Sequence, residues 1–226
     1  MQLLDRPIWQ ALSTIHRVHS IGTGRARRYL PDIGPLSAAL DDSPESLADL
    51  GVLLNETGGL GILQAGAVPL PPDADVKVSS PAVQMVLETA DRLAEPGDVS
   101  LLGDADAAEM LALAELTQPG PFGPRTHVLG SFYGIRIDGR LAAMAGERMR
   151  FAGHTEASGV CTHPDFRGRG LAARLLSRVA RDILARGDRA FLHAYASNAT
   201  AIRLYEQLGF AIRAEMTAVW LVPALR

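Results

Sequence analysis

Apolar residues recur along the chain at two spacings, and the switch between them marks its elements. Over residues 169–185, Leu171, Leu175, Val179 and Ile183 stand at successive i+4 steps, with Leu176 and Leu184 broadening the stripe and Arg174, Arg178 and Arg181 turned to water. That is the period of an amphipathic helix, and Gly187 ends it. A second helix is predicted behind a cap at Ser197 or Asn198, with apolar positions at Ala201, Ile202, Tyr205 and Leu208 and a terminator at Gly209. A third is predicted over residues 104–117. Alternation and β-branching predict strands over residues 83–88, 99–102, 131–137, 141–151, 154–163, 190–196 and 210–222. The Asp138-Gly139 pair tolerates the positive φ angles of a type I′ turn and so predicts a hairpin.

Residues 1–80 read as helix (6–16), extended segment (25–31), helix (43–54) and short strand (59–64), with Ser43 and Pro44 suited to an N-cap and first turn. The run VPLPPDADVKVSSP, residues 68–81, is dense in Pro and Asp and predicts a connector. A boundary is therefore placed at residue 80, between an N-terminal α/β region (1–80) and a larger domain (81–226). The order of elements implies a mixed α/β fold, a central mixed sheet with helices on both faces.

Composition narrows the function classes. A net charge of −3 provides no field for nucleic acid or an anionic membrane, so neither is an expected partner. No run of about 18 apolar residues occurs, and residues 1–20 carry Asp5, Arg6, His16 and Arg17 within their apolar pattern. Neither a membrane span nor a secretory leader is expected. Cys161 is the only cysteine, which excludes an intrachain disulfide and suits a reducing cytoplasm. His154, His163 and His193 have no metal-ligand spacing, and no metal is expected.

The richest chemistry lies in VCTHPDFRGRGLA, residues 160–172, between a strand and a helix. Unpaired amides and a partial positive charge at a helix N-terminus favour phosphate oxygens, and glycines let the backbone approach them. Arg167 and Arg169 add charge-assisted donors. The same residues also suit a plain strand-to-helix turn, and an incomplete Gly-x-Gly-x-x-Gly disfavours a dinucleotide site.

Together with SNATAIRLYEQLGF at residues 197–210, this loop resembles the GNAT superfamily of N-acetyltransferases, whose loop pattern is met by Arg167, Gly170 and Ala172. The resemblance covers about residues 99–222. It implies the acyl-CoA N-acyltransferase fold and transfer of an acyl group, by default acetyl, from acyl-CoA to an amine in a ternary complex. The acceptor is a small molecule or a protein amine, and the enzyme a monomer or homodimer. Arg167, Gly168, Arg169, Gly170, Leu171 and Ala172 would hold the pyrophosphate. The strand at Val160, Cys161 and Thr162 would splay from its neighbour and pair with the pantetheine arm like an added strand, and Asn198 would touch its far side.

By the same resemblance Glu156 is the expected general base and Tyr205 the acid that protonates the departing thiolate. Glu156 equally suits a strand carboxylate paired with Arg148 or Arg150, and Tyr205 a packed core residue. Cys161 reads as a small buried hydrophobe, not a nucleophile. Glu147, Arg125, His127 and Tyr133 lie in segments that border the family's acceptor groove. The alternatives to an enzyme are a non-catalytic acyl-CoA sensor on this fold, or an interaction module formed by residues 1–80.

Overall fold

The computed structural model describes residues 2–22 and 24–224. The N-terminal part begins with α1 (Pro7–Ser13) and a small antiparallel sheet of β1 (Ser20–Ile21), β2 (Ala26–Tyr29) and β3 (Ser37–Ala39). Next comes α2 (Pro44–Thr57), where the Ser43 hydroxyl accepts from the Ser46 amide and Pro44 occupies the first turn. The strands after it build one sheet of eight. In spatial order these are β4 (Leu60–Ala65), β11 (Phe210–Pro223), β5 (Ala74–Leu87), β10 (Arg189–Tyr195), β9 (His154–Thr162), β8 (Arg140–Phe151), β7 (Phe132–Ile137) and β6 (Ser100–Leu102). Among the described strand pairs only β9 and β10 run parallel. The turn between β7 and β8 has positive φ at both Asp138 and Gly139, as a type I′ hairpin requires.

Side-chain alternation gives the sheet two apolar faces. Val83, Met85 and Leu87 of β5 join Ala157 and Leu192 beneath α4 (Leu171–Ala185) and α5 (Ala199–Gln207). Ala82 and Val86, one residue out of phase, join Met149, Phe151 and Phe191 beneath α1. On that second face α3 (Ala107–Thr117) covers Phe132, Met144 and Cys161. Leu171, Leu175, Val179 and Ile183 of α4 are all buried, worth roughly 1.5–3 kcal/mol each by area. Leu184 is exposed. Arg174 and Arg181 are half-buried, contrary to expectation, because they donate to carbonyls of the 89–98 connection at Pro96, Asp98 and Leu93.

The connector expected over residues 68–81 is corrected: β5 starts at Ala74 and runs unbroken through Pro81. A strand tolerates proline where no ladder bond needs its missing N–H. Pro81 sits just outside the β5–β10 pairing, which begins at Ala82, and serves only as an acceptor, for the Ala196 amide. Residue 80 thus falls inside a strand, and β4 pairs with β11 from Leu60↔Leu221 to Ala65↔Met216. No described helix is long and apolar enough to cross a membrane.

A chain starting at Pro81 lacks β4 and half of β5, leaving the β11 edge uncovered. It is expected to be insoluble or to lose the cooperative thermal transition seen by circular dichroism for the full chain. A soluble fragment with that transition would contradict this architecture.

Candidate active site

A gap opens in the middle of the sheet. β9 and β10 pair only where His154, Thr155 and Glu156 meet Arg189, Ala190 and Phe191. Beyond that point β10 follows β5, whereas β9 follows β8 with register irregularities and a positive φ at Gly159. Such bulges bend a strand. The edge of β9 from Ala157 onward is left without a partner on the β10 side. Two cavities meet in this gap, and Gln118, Pro119, Val160, Asn198, Ala201 and Tyr205 line both.

The first is a groove of about 600 Å³ bordered by Val160, Cys161 and Thr162 and by the loop of Arg167, Gly168, Arg169, Gly170, Leu171 and Ala172. Gly168 and Gly170 have φ of 77° and 71°, in the left-handed region that favours glycine, and a Cβ at either would meet nothing within 4 Å. Gly170 ends the loop as the N-cap of α4 and supplies no side-chain cap. The amides of Leu171, Ala172 and Ala173 have no acceptor among the described residues; the first one bonded is Arg174, to the Gly170 carbonyl. Arg169 lies over the Phe166 ring at 5.4 Å. Free amides, a helix N-terminus, open glycine positions and an unpaired strand edge together suit an extended ligand carrying phosphate.

Asn198 caps α5, its Oδ1 accepting from the Ala201 amide at 3.1 Å, so only its Nδ2 faces outward chemistry. Cys161 is buried under α3, and burial pushes its thiol up to about 11, which keeps it protonated at neutral pH. Tyr205 is buried as well. Burial, with a smaller contribution from Cys161, raises its hydroxyl to about 12, and that hydroxyl has no hydrogen-bond partner among the described residues. A phenol so placed holds its proton until a stronger base arrives beside it.

The second cavity, of about 250 Å³, lies between the N-terminal segment and the sheet. At its floor is a charged network. Glu156 is fully buried and accepts from Arg148 Nε and Nη2, both at 2.8 Å. Its Oε1 also faces His193 Nδ1 at 2.8 Å. Gln84 fixes the tautomer of that ring. Its Oε1 accepts from Arg213, so its Nε2 donates to the Leu4 carbonyl and to His193 Nε2, leaving the ring hydrogen on Nδ1 to donate to Glu156. Burial alone would raise the Glu156 carboxyl, but the Arg148 charge and hydrogen bonds, with the His193 contact, outweigh it and hold the pKa at about 2.

The structure therefore brings Val160, Cys161, Thr162, Asn198, Tyr205 and the 167–172 loop to one groove, and places Glu156 behind the second cavity in the arginine pair that its strand position equally allowed. With both oxygens engaged and so low a pKa, that carboxylate is a poor proton acceptor. Four residues expected near the acceptor groove line neither cavity. Glu147 pairs with Arg186, Arg125 with Asp32, His127 with Asp104, and Tyr133 donates to Asp182. Sequence reasoning missed His193 as a site residue, together with Leu36, Ser80 and Trp220 of the cavity wall. Their only signal is long-range pairing, which periodicity does not carry. Among the described residues no group of three or more His, Cys, Asp or Glu is placed to hold a metal ion.

A family model described as FR47-like protein matches residues 132–221. The chain is similar along its whole length to a protein of known structure from Novosphingobium aromaticivorans DSM 12444, assigned to the acetyltransferases of the GNAT family. Identity is 44% and TM-score 0.91, with all of both chains covered. A GCN5-related N-acetyltransferase from Kribbella flavida shares the fold at TM-score 0.69 and 18% identity, over 100% of this chain and 97% of its own. A conserved protein from Staphylococcus epidermidis ATCC 12228 shares it at TM-score 0.59 and 14% identity, over 91% and 93%. No curated protein matches the chain.

Glu156→Gln leaves the Arg148 charge buried without its counter-ion and is expected to cost about 3–5 kcal/mol in urea unfolding at neutral pH. Because the folded carboxyl has the lower pKa, its contribution is complete above the ordinary 4.5 and is lost as pH falls from there through about 2. The difference between wild type and Glu156→Gln should therefore shrink on going from pH 6 to pH 3. A difference that stays constant or grows would contradict the pairing.

Proposed function

Since the chain belongs to the GNAT family of acetyltransferases, we propose that it transfers an acyl group, acetyl by default, from acyl-CoA to an acceptor amine in a ternary complex, as a cytoplasmic enzyme. The observation that carries this reading is the meeting of a phosphate-suited groove and a second, partly apolar cavity at Tyr205 and Val160. Acyl-CoA supplies an acyl group activated as a thioester; the remaining work falls to this chain.

In this proposal the free amides of Leu171, Ala172 and Ala173, with Arg167, Gly168, Arg169 and Gly170 beside them, hold the pyrophosphate. The open edge of β9 at Val160, Cys161 and Thr162 aligns the pantetheine through backbone hydrogen bonds, and Asn198 Nδ2 approaches it from α5. Holding both reactants at the junction converts a bimolecular encounter into an intramolecular one. The amine nitrogen attacks the thioester carbonyl, the C–N bond forms and the C–S bond breaks. Tyr205 gives its proton to the departing sulfur, and the tyrosinate regains one from the acylated nitrogen, which carries one proton too many. Glu156 is assigned a positioning role through Arg148 and His193, in place of the base role expected from its strand position. The amine must then enter the cavity neutral.

Tyr205→Phe keeps the ring and removes the proton. Steady-state kinetics with acetyl-CoA and a turned-over amine should show kcat reduced by about 10²-fold or more, with the KM for acetyl-CoA unchanged. An unchanged kcat would remove Tyr205 from the chemistry.

A further inference from the structure

The second cavity is selective in three respects. Its apolar wall comes from elements far apart in sequence, with Leu36 before α2, Ile62 on β4, Val78 on β5 and Val219 and Trp220 on β11. No Asp or Glu is among its described lining residues. Glu156, the nearby carboxylate, is bound to Arg148 and His193. A second ammonium group entering here would lose its hydration and meet no counter-charge.

The third feature is Arg148 itself. A guanidinium presents five N–H donors in a planar fork. Nε and Nη2 are engaged by Glu156, whereas Nη1 donates to nothing among the described residues. That nitrogen lies 3.9 Å from where a Cβ would stand on Gly120, a cavity-wall residue whose φ of 129° favours glycine. A buried cation so arranged has one edge satisfied by the protein and a further donor available at the cavity. The volume of about 250 Å³ lies below the roughly 300–1,000 Å³ of drug-sized pockets and suits a molecule on the scale of one amino acid.

We infer that the acceptor is a small primary amine with an apolar body and one oxygen acceptor, a carboxylate or carboxamide, which Arg148 Nη1 engages, and that it carries no second cationic group. This rests on the acyltransfer reading of the same cavity. Removing the oxygen leaves the Arg148 donor without a partner, whereas adding a cation places an unpaired charge in an apolar pocket.

The test uses the full chain and four probes: phenylalanine, phenylalaninamide, phenethylamine and spermidine. Each is titrated calorimetrically without acyl-CoA, and each is assayed for CoA release from acetyl-CoA. Phenylalanine or its amide should bind at least about 10-fold more tightly than phenethylamine, and spermidine should bind least. Which of the two binds better identifies the oxygen as carboxylate or carbonyl. The double variant Arg148→Met with Glu156→Gln removes both charges together and should erase the preference; retention of the preference in a folded double variant would overturn the inference. Equal or tighter binding of phenethylamine or spermidine overturns it too, as does failure of all three aromatic amines to bind. Aromatic amines that bind in this order without CoA release uphold the acceptor chemistry and refute acyl transfer. CoA release with spermidine alone upholds transfer and refutes the acceptor chemistry.

Discussion

The buried pair of Arg148 and Glu156 is the interaction on which the rest of the molecule turns. Glu156 is the last residue of β9 to pair with β10, so its carboxylate sits where the two strands part. A fully buried charge must be matched in place or it destabilises the fold. Arg148 matches it from β8, His193 touches it from β10, and Gln84 supports the histidine from β5. Gln84 also receives Arg213 from β11 and donates to the Leu4 carbonyl. One connected network thus spans five adjacent strands and the N-terminal segment, and it lies where the sheet opens. The gap begins at that point, with register irregularities against β8 and a positive φ at Gly159 three residues further along β9.

The same pairing constrains the chemistry. A carboxylate whose two oxygens are engaged by Arg148 and His193, with its pKa held low by that arginine, is a poor base, and the proposed reaction therefore gives proton movement to Tyr205. The phenol keeps its proton at neutral pH because burial raises its pKa, and it is its hydroxyl's position where the two cavities meet, unpaired among the described residues, that suits the donor role proposed for it. Arg148 links structure to the proposed selectivity, because the residue that pairs with Glu156 has an Nη1 beside the second cavity that donates to nothing among the described residues. In this proposal stability and recognition depend there on one side chain.

Much of this was legible in the sequence where local rules decide the outcome. The i+4 stripe of Leu171, Leu175, Val179 and Ile183 gave α4, Asp138-Gly139 gave the β7–β8 hairpin, and the positions of Gly168 and Gly170 gave an open loop at a helix start. Local rules misled over residues 74–81, where Pro81 and the surrounding Asp and Ser residues imply a connector while pairing with β11 holds them in a strand. Glu156 has two compatible readings, base and ion-pair partner, and the ion pair becomes visible only in the position of Arg148 across the β8–β9 pair. The second cavity is invisible in the sequence because its wall joins Leu36, Val78, His193 and Trp220 across most of the chain. No window of sequence contains that arrangement.

The central claim is that acyl-CoA occupies the groove formed by the open β9 edge and the start of α4. Hydrogen–deuterium exchange of the full chain, with and without acetyl-CoA, reads those backbone amides directly. The account predicts slowed exchange at Val160, Cys161 and Thr162 and from Gly168 to Ala173 on addition of acetyl-CoA, with exchange in α1 and α2 unchanged. Unaltered exchange across residues 160–173 at saturating acetyl-CoA, or protection confined to another part of the chain, would contradict it.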